Sequence, residues 1–71
     1  MALPENVAEA RKSRGITQAE LAEQIGVTQG MVSKMERGVK LPTVAILEQL
    51  ADVLDVSVDW LLGRKESGNN G

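Results

Sequence analysis

The sequence predicts an all-α fold of five short helices. Three observations predict it. Apolar residues recur at spacings of three and four along almost the whole chain. Nowhere do β-branched or aromatic residues alternate with polar ones over the length of a strand. Glycines stand where helices would stop, and Thr or Ser stands where the next would begin.

Each element follows from its punctuation. Pro4 fits the first turn of a helix that runs to about Arg14, with Gly15 just past its end. Thr17-Gln18-Ala19-Glu20 is a capping box, and it opens a second helix whose apolar face is Leu21, Ala22 and Ile25. Gly26 closes that helix after two turns. Thr28 caps a third helix to about Arg37, with Gly38 as its stop. After Lys40-Leu41-Pro42, Thr43 caps a longer helix to about Leu54. Its Ile46, Leu47, Leu50, Ala51 and Leu54 make the strongest apolar stripe in the chain, the expected backbone of the core. Ser57 caps a last short helix with Val58, Trp60, Leu61 and Leu62, and Gly63 ends it. The expected domain is residues 1–63. Residues 64–71 carry no apolar anchor and are expected to form a disordered polar tail.

Composition narrows the chemistry. The chain has 71 residues, enough for one domain with a marginal core. It has no Cys and no His, so disulfides and the usual zinc, haem, copper and iron–sulfur ligands are missing. No metal and no cofactor are expected. The same absences remove the Cys nucleophile and the His base, so an enzyme is not expected. No apolar run has the length of a membrane span or a signal-peptide core, so a cytoplasmic setting without membrane contact is expected.

The informative stretch is Gln18 to Arg37. Two short helices separated by three residues form a helix-turn-helix if they cross steeply. Such a crossing needs a small residue where the second helix leans on the first, and Ala22 supplies it. The turn needs tolerance of positive φ, and Gly26 supplies that. Val32 and Met35 then point back into the angle against Leu21 and Ile25.

With these features in place, the chain resembles the Xre/Cro-type helix-turn-helix regulators, which include the lambdoid phage repressors. The resemblance is carried by Thr17-Gln18-Ala19-Glu20-Leu21-Ala22, Gly26-Val27-Thr28-Gln29, Met35-Glu36-Arg37-Gly38 and Val56-Ser57-Val58-Asp59-Trp60-Leu61-Leu62. It covers about residues 5–63. It implies a lambda-repressor-like domain whose third helix lies in the DNA major groove. The base-reading positions it implies are Gln29, Gly30, Ser33 and Lys34. Gln29 can pair with adenine N6 and N7, and Lys34 can donate to guanine O6 and N7. Ser33 can meet a base or a phosphate. Gly30 departs from a side-chain reader: either its backbone approaches the DNA closely, or Met31 reaches over to a thymine methyl, or it is a tolerated small residue. Gln18, in the first turn of the second helix, is implied to grip a phosphate together with that helix's free N–H groups. Arg37 and Lys40 flank the other side, the plain alternative for both being an ordinary solvated loop. Arg11 and Glu36 match the family's partly buried structural ion pair.

Trp60 reads as core filler. The surplus of apolar residues around it, Val58, Leu61 and Leu62, is expected to form a two-fold contact. A homodimer would set two reader helices about 34 Å apart and favour a pseudo-palindromic operator. The expected function is sequence-specific binding of double-stranded DNA by a transcriptional regulator, a repressor. Two alternatives stand beside it. One is an interaction module that keeps the fold and has lost DNA. The other is the DNA-binding part of a longer regulator. The net charge of −2 speaks against DNA only as a total. Residues 11–40 hold six basic against three acidic residues, whereas residues 41–63 hold four acidic and no basic ones.

Overall fold

Four of the five helices begin on a hydroxyl, as their sequence predicts. In the computed structural model, which describes residues 2–64, α1 spans Leu3–Ser13, α2 Gln18–Ile25, α3 Gln29–Glu36, α4 Val44–Leu54 and α5 Val58–Leu62. There is no strand among the described residues. Thr17, Thr28, Thr43 and Ser57 each accept from the backbone N–H three residues on, which contributes about 1 kcal/mol per cap. At α2 the box is complete, because Glu20 Oε1 in turn accepts from the Thr17 N–H at 2.8 Å. α1 has no side-chain cap and starts on Pro4 geometry instead.

Every helix contributes to one core. Val7 of α1, Leu21 of α2, Val32 and Met35 of α3, Leu50 of α4 and Leu61 of α5 are fully buried. α2 and α3 pack most extensively on one another, α1 bridges α3 and α5, and α4 leans on α2 and α5. The α4 stripe is divided: Leu50, Ala51 and Leu54 are buried, while Ile46 and Leu47 pack at its margin. Trp60 also packs against the core and is half-buried. Asn6, itself buried, donates from Nδ2 to the carbonyls of Trp60 at 3.0 Å and Leu61 at 3.1 Å, tying α1 to the end of α5.

One helix ends where expected on an uncommon cap, and the residue after the cap of α5 departs from expectation. α4 stops on Asp55 in the left-handed region (φ 58°), where glycine is the commoner residue. Arg64, placed in the tail by its sequence, is fastened to α5: its guanidinium lies 2.7 Å from Asp59 Oδ1 and its N–H donates to the Asp59 carbonyl at 2.9 Å. The remainder of the expected tail, residues 65–71, lies outside the described residues.

Candidate nucleic-acid interface

The turn between α2 and α3 is Gly26-Val27-Thr28, with Gly26 at φ 75°. A side chain there would be strained, so the glycine lets the chain leave α2 and re-enter a helix three residues later. The Val27 N–H returns to the Ala22 carbonyl at 3.0 Å and locks the bend. The inner faces are apolar and buried: Leu21, Ala22 and Ile25 against Val32 and Met35.

The opposite face of α3 is polar. Gln29, Gly30 and Lys34 are exposed, and Ser33 is half-buried. Ser33 Oγ accepts from Arg37 Nε at 3.3 Å, which joins an expected base reader to an expected phosphate contact and leaves the hydroxyl proton free to donate. Gly30 has an ordinary helical φ, and a Cβ built on it would meet nothing closer than Thr28 Oγ1 at 3.8 Å. The fold therefore places no demand for glycine at this position. Beyond α3 the chain doubles back, the N–H groups of Val39 and Lys40 both reaching the Lys34 carbonyl at 2.9 and 3.3 Å. Arg37 and Lys40 are exposed there.

Behind this face lies the ion pair. Arg11 Nε donates to Glu36 Oε2 at 2.7 Å and Nη2 donates to Oε1 at 3.1 Å, with only 12% and 7% of the two side chains exposed. Nη1 donates to the Ile16 carbonyl at 2.9 Å. The guanidinium is held above its ordinary pKa by the hydrogen bond to Glu36 and by that residue's charge, against the opposing effect of burial. Gln18 adds a contact that spacing alone does not disclose: its Nε2 donates to Glu36 Oε1 at 3.0 Å.

The comparisons with known proteins agree on this region. A helix-turn-helix family model matches residues 7–61. The chain belongs to the Xre/Cro-type helix-turn-helix regulators. Among curated relatives of this regulator, the CTXphi transcriptional repressor RstR of Vibrio cholerae is 39% identical over 70 residues, covering 99% of this chain and 62% of RstR. SinR of Bacillus subtilis is 39% identical over 62 residues, covering 86% of this chain and 56% of SinR. The regulator thus spans rather more than half of these relatives' length. In solved structures, the P22 c2 repressor in complex with a synthetic operator superposes with a TM-score of 0.86 at 31% identity, over 92% of this chain and 98% of that one. SinR in complex with DNA superposes with a TM-score of 0.77 at 37% identity, over 83% and 95%. This is a family of transcriptional regulators, not of enzymes. Among the described residues no group of three or more acidic, His or Cys side chains could hold a metal, and no helix is long and apolar enough to cross a membrane.

One assignment needs correction. Leu61, expected in a dimer contact, has no exposed surface and belongs to the regulator's own core, so it can present nothing to a second copy. The half-buried Val58 and Leu62 remain on the same short helix. The residues missed by sequence reasoning are Val39, Leu41 and Val44, which are 64%, 75% and 72% exposed. Spacing gives no signal for their exposure: Val39 follows Met35 by four residues and Val44 precedes Leu47 by three, so both keep the helical rhythm of neighbours that pack in or against the core.

Proposed function

We propose that this regulator is a sequence-specific repressor that binds a pseudo-palindromic operator in double-stranded DNA as a homodimer, in the cytoplasm, with α3 in the major groove. The observation that carries the reading is the exposed polar face of α3 on a buried helix-turn-helix angle, in a chain that superposes closely on the P22 c2 repressor in its operator complex. Gln29 and Lys34 read base edges, and Ser33 serves as a shorter donor beside them. Gly30 lets the α3 backbone approach the DNA, since nothing within the protein calls for a glycine there. Gln18, Arg37 and Lys40 bracket the helix with phosphate contacts that set its register. Val58 and Leu62 supply the two-fold contact, without Leu61.

Selection of bound sequences from a random duplex pool tests this directly. A two-fold symmetric motif is expected. No enrichment at low salt would overturn the reading. That outcome would favour the interaction module instead, for which the exposed Val39, Leu41 and Val44 are the supporting observation.

A further inference from the structure

We propose that the Arg11–Glu36 pair, besides holding helices together, positions Gln18 for its phosphate and so acts in DNA binding without touching DNA. The inference rests on the DNA-binding reading above. The guanidinium joins three places in the fold: α1, on which Arg11 stands, the α1–α2 loop through Ile16, and the last residue of α3 through Glu36. Glu36 passes the connection on, because its Oε1 also accepts from Gln18 at the first position of α2. The proposed phosphate grip and the end of the reader helix are therefore linked through side-chain hydrogen bonds as well as apolar packing.

The chemistry of the acceptor decides how Gln18 stands. An ionised carboxylate only accepts, so the amide must turn its nitrogen toward Glu36; the flipped amide would set oxygen against oxygen. Nε2 keeps a second N–H for another acceptor. That N–H sits at the N-terminus of α2, where the first backbone N–H groups have no partner within the helix. Glu36 thus fixes which atom Gln18 can offer a phosphate. Arg11 does the complementary work. Without it, an uncompensated carboxylate would lie 3.0 Å from an amide that has to approach an anion.

The test is a double-mutant cycle on the full chain, using the operator recovered by selection. Arg11→Met with Glu36→Gln removes both charges together, leaves net charge unchanged and releases the Gln18 amide from an acceptor-only partner. Each protein is compared below its own unfolding transition. The charge-balanced pair is expected to weaken operator binding on the order of tenfold, the loss of a charge-assisted hydrogen bond, and to cost nothing further when Gln18→Ala is already present. Its effect should also vanish on DNA carrying a neutral methylphosphonate at the phosphate Gln18 contacts. Equal losses in both backgrounds and on both DNAs would reduce the pair to a structural role and overturn the proposal. If the pair variant does not fold, the wild-type chain still decides by NMR. One Gln18 side-chain amide proton should be protected from exchange in the free protein, and the second only after operator is added. Two freely exchanging protons in the free protein would overturn it. Wild-type protein that selects no DNA sequence would remove the DNA-binding reading and this inference together, whereas specific binding with an additive cycle removes this inference alone.

Discussion

Replacing Glu36 with Ala should unfold this regulator at a much lower temperature than the parent, and the structure sets the size of the effect. Glu36 accepts two bonds from Arg11 and one from Gln18 while 7% of its side chain is exposed. Truncation leaves a guanidinium, itself 12% exposed, with only the Ile16 carbonyl as partner. Removing one member of a buried pair costs about 3–5 kcal/mol, and the residual exposure argues for the lower end, about 3. A chain of this length has a total stability of roughly 4–10 kcal/mol, so such a loss is a large share of it. At about 4–8 °C per kcal/mol for domains of this size, the thermal midpoint should fall by at least about 12 °C. Far-ultraviolet circular dichroism reads it, with Trp60 fluorescence as an independent probe. Arg11→Met with Glu36→Leu supplies the control: removing both charges should recover most of the loss, because the cost lies in the stranded charge. A Glu36→Ala midpoint within about 3 °C of the parent would show that water already screens the pair, and the argument from burial would be wrong.

Gln29→Ala should relax specificity at one base position by about 1–3 kcal/mol while leaving other positions unchanged, as read by repeating the pool selection; a uniform loss over all sequences would remove Gln29 from the readers. Arg37→Ala should weaken all duplexes alike and lower the salt slope of binding by about one per protomer, measured by titration at several ionic strengths; an unchanged slope would return Arg37 to the solvated loop. Gly30→Ala should raise the thermal midpoint, by up to about 1 kcal/mol of helix stability, yet weaken operator binding; unaltered affinity would end the close-approach account. Leu62→Glu should leave the monomer folded but abolish dimeric occupancy of a two-half-site operator in analytical ultracentrifugation; a persisting dimer would place the two-fold contact elsewhere.

How far the sequence discloses this molecule depends on the distance over which each feature is decided. Helix starts are local: a Thr or Ser three residues before the N–H it accepts from is visible in the chain, and each such start is found where expected. Gly26 is legible for the same reason. The α4 stop was not foreseen as a cap, because Asp55 in a left-handed conformation carries no distinctive local mark. Long-range side-chain geometry is harder still. The spacing of Val58, Trp60, Leu61 and Leu62 shows a surplus of apolar residues without showing which one the core takes, and it takes Leu61. The Arg11–Glu36 pair was legible only through resemblance. The Gln18 bond to the same carboxylate was not, since it depends on how α2 and α3 cross.

The same geometry revises the electrostatic argument. Summed along the sequence, residues 11–40 look like a basic face, but two of their cations are directed elsewhere. Arg11 is matched by Glu36 behind the reader helix, and Arg14 stands 4.0 Å from Asp55 at the end of α4. The latter pair is well exposed and adds little to stability, yet it draws a positive charge toward the acidic part of the chain. At α3 and the loop after it, the exposed cations are Lys34, Arg37 and Lys40, while Glu20 and Glu23 stand exposed on α2. If Arg37 and Lys40 each neutralise one phosphate in both protomers, the slope of log affinity against log salt is about −3.6. Between 50 and 200 mM salt that slope costs roughly 150-fold, below the loss expected of binders that make six to ten phosphate contacts. With those contacts alone, non-specific attraction would be correspondingly weak. On the proposed reading, discrimination falls to Gln29 and Lys34 at base edges, and the alignment of these two α3 side chains depends on the packing of α2 against α3.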